Sequence, residues 1–145
     1  MGKDHMLRQL ERLVGRWKTT IKLVTSDSEE VGKSHATDVY SWSPNGNFLY
    51  HEVDAQMDGE SHKSLEVIAI NPDGDGFVSR SYDPDGSFSD YECWFKNEEW
   101  HIRGETLRFS GQFLDGGRIL SGDWKQLTEN KSWEPAMSVV LEREA

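Results

Sequence analysis

The stretch Leu13-Val14-Gly15-Arg16-Trp17-Lys18-Thr19-Thr20-Ile21-Lys22-Leu23 decides the fold, because a helical pattern stops inside it and an alternating strand begins. Upstream, Met6, Leu7, Leu10, Leu13 and Val14 recur at helical spacing. Asp4 is suited to cap that helix, and Gly15 to end it in a left-handed turn. Downstream, Trp17, Thr19, Ile21 and Leu23 alternate with Arg16, Lys18, Thr20 and Lys22, the period of a strand with one buried face. A helix of about three turns is marginal alone, so its apolar stripe must dock. The nearest partner is the end of a barrel built from the strands that follow, which makes this stretch the plug and first stave of that barrel.

Three turns downstream repeat one recipe: Ser43-Pro44-Asn45-Gly46, Asn71-Pro72-Asp73-Gly74 and Asp83-Pro84-Asp85-Gly86. Proline sets φ at the first corner, Asn or Asp tolerates the second, and glycine takes the left-handed position of a three-residue hairpin loop. That loop pairs Ser43 with Asn47, Asn71 with Asp75 and Asp83 with Ser87. In the first hairpin Val39 then faces His51, Tyr40 faces Tyr50 and Trp42 faces Phe48, with apolar residues on both faces, so the inner one stays open. In the next two, Ala69, Phe77 and Cys93 form one row and Val67, Ser79 and Tyr91 the next, while Glu66, Arg80 and Asp90 align on the opposite face. A two-residue turn at Asp115-Gly116 pairs Leu107 with Trp124 and Phe109 with Gly122. The last strand alternates Met137, Val139, Leu141 and Arg143, with Pro135 at its start or on an edge. The expectation is an all-β fold: an up-and-down antiparallel barrel of about ten strands over 16–143, closed at one end by a helix over 4–14.

Length and charge agree. The 145 residues fit a single domain spanning 1–145. A net charge of −10 argues against nucleic acid and anionic membrane as partners, since phosphate-binding surfaces need clustered Lys and Arg. The lone Cys93 excludes an internal disulfide and reads as a small buried hydrophobe. No run of about 18 apolar residues and no charged-then-apolar leader occurs, so a soluble, cytoplasmic protein is expected.

Gly15-Arg16-Trp17 after a short helix, with Arg143 on the final strand, resembles the lipocalin and wider calycin signature. That resemblance implies that Trp17 closes the barrel base and Arg143 stacks across it. From Leu10 to Trp17, through Ile70-Asn71-Pro72 and Tyr82-Asp83, to Gly122-Asp123-Trp124 and Leu141-Glu142-Arg143, the chain is similar to a bacterial family of lipocalin-like domains of unknown function. The likeness implies a ten-stranded barrel with an internal cavity and supplies no catalytic residues. A second resemblance, to nitrobindin-like haem barrels, implies haem as an alternative cofactor, although Thr19 stands where a further glycine would let haem approach the backbone. Arg80-Ser81-Tyr82 resembles the Arg-x-Tyr carboxylate clamp of fatty-acid-binding barrels, at a different place in the chain.

No Gly-rich phosphate loop, Cys-x-x-Cys pair, His-Glu-x-x-His helix or Gly-x-Ser-x-Gly elbow is present. His5, His35, His51, His62 and His101 are scattered, so no metal site is expected. The polar row Glu66, Arg80 and Asp90 has two readings that depend on the turn at Asp58-Gly59. A three-residue loop sets Glu52 beside Glu66 and leaves a solvated ion-pair ladder. A two-residue loop sets His51 beside Glu66 and Leu49 beside Ile68, so that the row lines the cavity; one residue of slip reverses inside and outside.

The first functional expectation is a carrier or sensor that binds a small hydrophobic or amphipathic molecule. Its candidate ligand contacts are His51, Glu66, Arg80, Tyr82, Tyr91, Phe109 and Trp124. The alternative is a small barrel enzyme (cyclase, isomerase or decarboxylase) that uses His51, Glu66, Arg80 and Tyr91 for acid–base work; haem binding stands third. A small-molecule partner is expected, and a homodimer is left open.

Overall fold

The computed structural model describes residues 3–57 and 59–144. A helix α1 (Lys3–Gln9) runs into a 3₁₀ turn (Leu10–Arg12), and ten strands follow: β1 (Gly15–Val24), β2 (Glu30–Trp42), β3 (Leu49–Met57), β4 (Glu60–Ile70), β5 (Phe77–Tyr82), β6 (Phe88–Lys96), β7 (Glu99–Arg103), β8 (Leu107–Leu114), β9 (Ile119–Leu127) and β10 (Trp133–Arg143). Each strand pairs antiparallel with its sequence neighbours, and β1 pairs with β10, which closes the barrel. The helix is shorter than the 4–14 expectation. Asp4 lies in its first turn rather than at its cap, and the chain tightens to 3₁₀ geometry before Leu13.

The connections sort by end. Residues 43–48, 71–76, 97–98 and 115–118 lie at the end where α1 packs, while 25–29, 83–87, 104–106 and 128–132 lie at the other. The α1 end is sealed by Leu10, Leu13 and Trp17, all fully buried together with Leu49 and Ile68. Trp17 Nε1–H donates to the Leu13 carbonyl at 2.9 Å, and Trp42 Nε1–H donates to Glu11 at 2.6 Å, so two indoles tether the helical segment to β1 and β2.

Arg143 closes the seam. It pairs across strands with Trp17, and its guanidinium lies 4.1 Å from the centre of the Trp17 ring. One arm donates to the Val14 carbonyl, the other to that of Arg12 at 2.8 Å. Gly15 is part of this arrangement rather than a helix stop: it opens β1 at φ +137°, and a Cβ there would stand 2.6 Å from Arg143 Nη1. Burial holds the guanidinium pKa somewhat below its usual value.

Hairpin register departs from expectation at two of the three Pro-Asn/Asp-Gly turns. Ser43 N–H bonds the Phe48 carbonyl and Asn71 N–H the Gly76 carbonyl, so each loop holds four residues, one more than the three-residue form. Tyr40 therefore pairs with His51 rather than Tyr50, and Trp42 with Leu49 rather than Phe48. Ile70 rather than Ala69 faces Phe77, and Glu66 faces Ser81 rather than Arg80. The extra residue in the second loop is accommodated at Gly76, with φ +87°, where a Cβ would press on the Cys93 carbonyl at 2.8 Å. The third turn keeps the three-residue form, Asp83 N–H bonding Ser87, and Phe77–Cys93, Ser79–Tyr91 and Arg80–Asp90 pair as read.

At the β8–β9 connection the two-residue turn is replaced by four residues that include a 3₁₀ segment (Asp115–Gly117), so Phe109 faces Trp124 and Leu107 faces Gln126. A shift of two leaves the inward face unchanged. Pro135 lies within β10 at a register irregularity, not on a free edge.

Removal of the base plug is costly. Trp17→Ala should lower the unfolding free energy by about 3–5 kcal/mol and Gly15→Ala by about 1–3 kcal/mol, both read from denaturant titrations of the whole chain.

Candidate functional site

The barrel interior is a cavity of about 510 Å³. Along β2, β3 and β4 the inward side chains run from the sealed base toward the open end in three parallel series: Tyr40, Asp38, Ala36; Leu49, His51, Val53; and Ile68, Glu66, Ser64. The middle member of each series is polar, and the three meet. His51 Nε2 lies 2.6 Å from Asp38 Oδ2, and its Nδ1 lies 2.7 Å from Glu66 Oε1. Thr19 Oγ1–H donates to the other Asp38 oxygen at 2.5 Å. The Tyr40 ring stacks on the imidazole at 3.9 Å between centroids, with planes 9° apart. Asp38 and Glu66 are only 7% and 9% exposed.

Burial by itself pushes the imidazole pKa down, because it penalises the charged form. Hydrogen bonds to Asp38 and then Glu66, with the charges behind them, outweigh that and raise it to about 9. His51 is therefore an imidazolium at neutral pH, donating from both ring nitrogens. The neighbouring phenols respond in kind. Burial, then Glu66 and Asp38, hold the Tyr40 hydroxyl well above its usual pKa. Burial is also the main cause of the raised Tyr91 value. The Cys93 thiol is pushed up strongly, by burial first and by Glu66 second; buried against Ser79 at 3.7 Å, it behaves as a small core group.

The candidate residues divide. His51, Glu66, Tyr91, Phe109 and Trp124 line the cavity. Arg80 and Tyr82 stand on the outer face. Arg80 grips Asp90 through Nε at 2.7 Å and Nη2 at 3.0 Å, and its guanidinium sits 4.1 Å above the Phe88 ring. That pairing raises the Arg80 pKa and lowers that of Asp90. Tyr82 packs beside the exposed Phe88 at 5.8 Å between ring centres. The row of Glu66, Arg80 and Asp90 is thus split: its basic member and Asp90 face solvent, and Glu66 faces His51. Of the two readings of the Asp58-Gly59 turn, the pairing of Met57 with Glu60 and His51 with Glu66 matches the two-residue loop; Asp58 itself lies outside the described residues.

Asp38, Tyr40 and Thr19 were not among the candidate ligand contacts read from the sequence. A four-residue reading of the first Pro-Asn-Gly loop places Tyr40 opposite His51, and Asp38, two residues away, shares that face. Over the rest of the wall, Phe109 and Trp124 pack at 5.1 Å. The facing pair Gly111 and Gly122 leaves room for the Phe109 ring, which a Cβ on Gly122 would approach to 2.7 Å.

Over residues 2–134 the sequence matches the family described as "Protein of unknown function (DUF1579)". The chain belongs to the DUF1579 family. No curated protein is close enough in sequence to count as a relative. Among solved structures, this DUF1579 barrel is similar to Rv2717c from M. tuberculosis, at 13% identity and a TM-score of 0.69, covering 97% of this chain and 98% of that one. It is also similar to the zebrafish ileal bile acid-binding protein complexed with cholic acid, at 7% identity and a TM-score of 0.57, covering 92% and 99%. These likenesses show a shared β-barrel fold. No helix among the described residues is long and apolar enough to cross a membrane.

The buried imidazolium makes stability depend on pH. Its folded pKa lies above the ordinary 6.5, so its contribution is fully present below about pH 6.5 and is lost as pH rises through about 9. The unfolding free energy should fall across that window by up to about 3 kcal/mol. His51→Gln should flatten this dependence in denaturant titrations at a series of pH values.

Proposed function

We propose that this DUF1579 barrel binds a small amphipathic molecule inside its cavity, as a carrier or sensor. The observation that carries the reading is a space of about 510 Å³ in a barrel sealed at one end, with aromatic and aliphatic walls around one buried polar cluster. A mostly apolar pocket with a few convergent polar groups is the usual form of a small-molecule site. Support comes also from the similar barrel that is complexed with cholic acid, an amphipathic acid. The mouth lies at the end away from α1, near Asp83 and Pro84, where His62 is exposed.

Acid–base catalysis is the second reading, and the Asp38–His51–Glu66 cluster is what favours it: an imidazole between two carboxylates, beside a stacked phenol, can exchange a proton with a bound substrate. Arg80 takes no part in this version, because it faces solvent. The haem reading has less behind it. Both His51 nitrogens are engaged by carboxylates, which leaves no lone pair for iron, and the Thr19 side chain occupies the wall where a glycine would admit a porphyrin.

A neutral, environment-sensitive fluorophore such as N-phenyl-1-naphthylamine tests the binding reading. Its fluorescence should rise on mixing with the protein. Val53→Trp, which fills the cavity, should weaken binding by at least about tenfold, whereas Arg80→Ala on the outer face should leave it unchanged. Loss on Arg80→Ala with no change on Val53→Trp would move the site to the outer wall.

A further inference from the structure

The charges inside the cavity are one-sided, and the side they take selects the ligand's head group. The charged and titratable side chains on the wall are Asp38, Tyr40, Glu66, Asp83, His51, His62 and Tyr91; among the described residues no Lys or Arg reaches it. In the central cluster two carboxylates face one imidazole. With both ionised, that cluster is net negative whether or not the ring carries its second proton. Arg80 and Arg143 are committed elsewhere: Arg80 to Asp90 on the outer face, and Arg143 to the Arg12 and Val14 carbonyls at the base.

Acceptor accounting points the same way. Asp38 spends one oxygen on Thr19 and the other on His51, and Glu66 spends Oε1 on His51. Glu66 Oε2 takes no hydrogen bond among the described residues, and it is not among buried atoms left without a partner, so it opens onto the cavity. An open carboxylate oxygen in a low-dielectric space favours a cation or a strong donor and disfavours another anion. The imidazole stands between Asp38 and Glu66 and keeps them from closing on one ion, and no three His, Cys, Asp or Glu among the described residues are grouped to hold a metal. The aromatic wall of Tyr40, Trp100, Phe109 and Trp124 adds ring faces, which attract organic ammonium groups.

We infer that the cavity is selective for amphipaths with a protonated amine at the inner end, seated on Glu66 Oε2, and that it turns away fatty carboxylates. This rests on the binding reading above and assigns the ligand class of the same site. It also sets this barrel apart from a carboxylate clamp, since Arg80 and Tyr82, which resemble one in sequence, are outside.

The experiment is displacement of bound N-phenyl-1-naphthylamine at pH 7 by three ligands of one chain length, dodecylamine, dodecanol and dodecanoate, each below its micelle concentration. The amine should displace the probe at a concentration at least about tenfold lower than the carboxylate, with the alcohol between. Glu66→Gln, which retains a hydrogen-bond partner for His51, should abolish the amine's advantage over the alcohol. Equal or better displacement by dodecanoate overturns the amine preference while leaving cavity binding standing. A preference unchanged in Glu66→Gln overturns the assignment to Glu66. Failure of the probe and all three ligands to bind overturns the cavity reading itself. Because the wild-type series alone separates amine from carboxylate, the inference stays testable even if Glu66→Gln does not fold.

Discussion

An imidazole ring held between two carboxylates inside a barrel wall is the interaction on which the rest of this structure depends. Moving an isolated charge out of water costs several kcal/mol, and removing one partner of a buried pair strands the other. Here each charge has a partner: His51 donates to Asp38 and Glu66, Thr19 donates to Asp38, and Tyr40 stacks on the ring. The cluster occupies the middle of β2, β3 and β4. Below it, Leu49 and Ile68 join the packed base; level with it, Tyr40 stacks on the ring; above it, Ala36, Val53 and Ser64 border the open space. The polar band therefore marks the floor at which hydrophobic packing stops and the cavity begins.

Closure of the sheet makes that floor stable. A barrel has no free edge, so β1 and β10 must meet in register, and they do so at Trp17 and Arg143. The guanidinium covers the indole and takes up carbonyls at the end of the helical segment, tying the plug, the first strand and the last strand into one unit. With the base filled by Leu10, Leu13 and Trp17, the remaining interior lies toward the loops at the other end.

The change from helix period to strand period made the plug and first strand legible, whereas the pairing of Trp17 with Arg143 was legible only through the resemblance to the lipocalin signature. Strand number was legible from the three Pro-Asn/Asp-Gly turns taken with the Asp58-Gly59 and Asp115-Gly116 turns and the alternating segments around them. What these turns did not disclose was loop length. Ser43-Pro44-Asn45-Gly46 and Asp83-Pro84-Asp85-Gly86 look alike, yet the first closes over four residues and the second over three. Asn47 and Asp75 are the additional residues, the second followed by the left-handed Gly76, and nothing within the four-residue motifs encodes them. Since alternate side chains face opposite sides, that single residue decided whether Glu66 met Arg80 or left it outside. For the same reason His51 and Glu66 were visible as candidates while Asp38 was not: its inward face follows only from the longer first loop. Phe109 and Trp124 survived a misplaced turn because the error there was an even number.

The central claim, a doubly bonded imidazolium at the barrel floor, is tested most directly by nuclear magnetic resonance of the His51 ring in the intact protein. The account predicts that both ring nitrogens carry protons at pH 7 and that the ring titrates near pH 9. A neutral His51 ring at pH 7, titrating close to the ordinary value of 6.5, would contradict it.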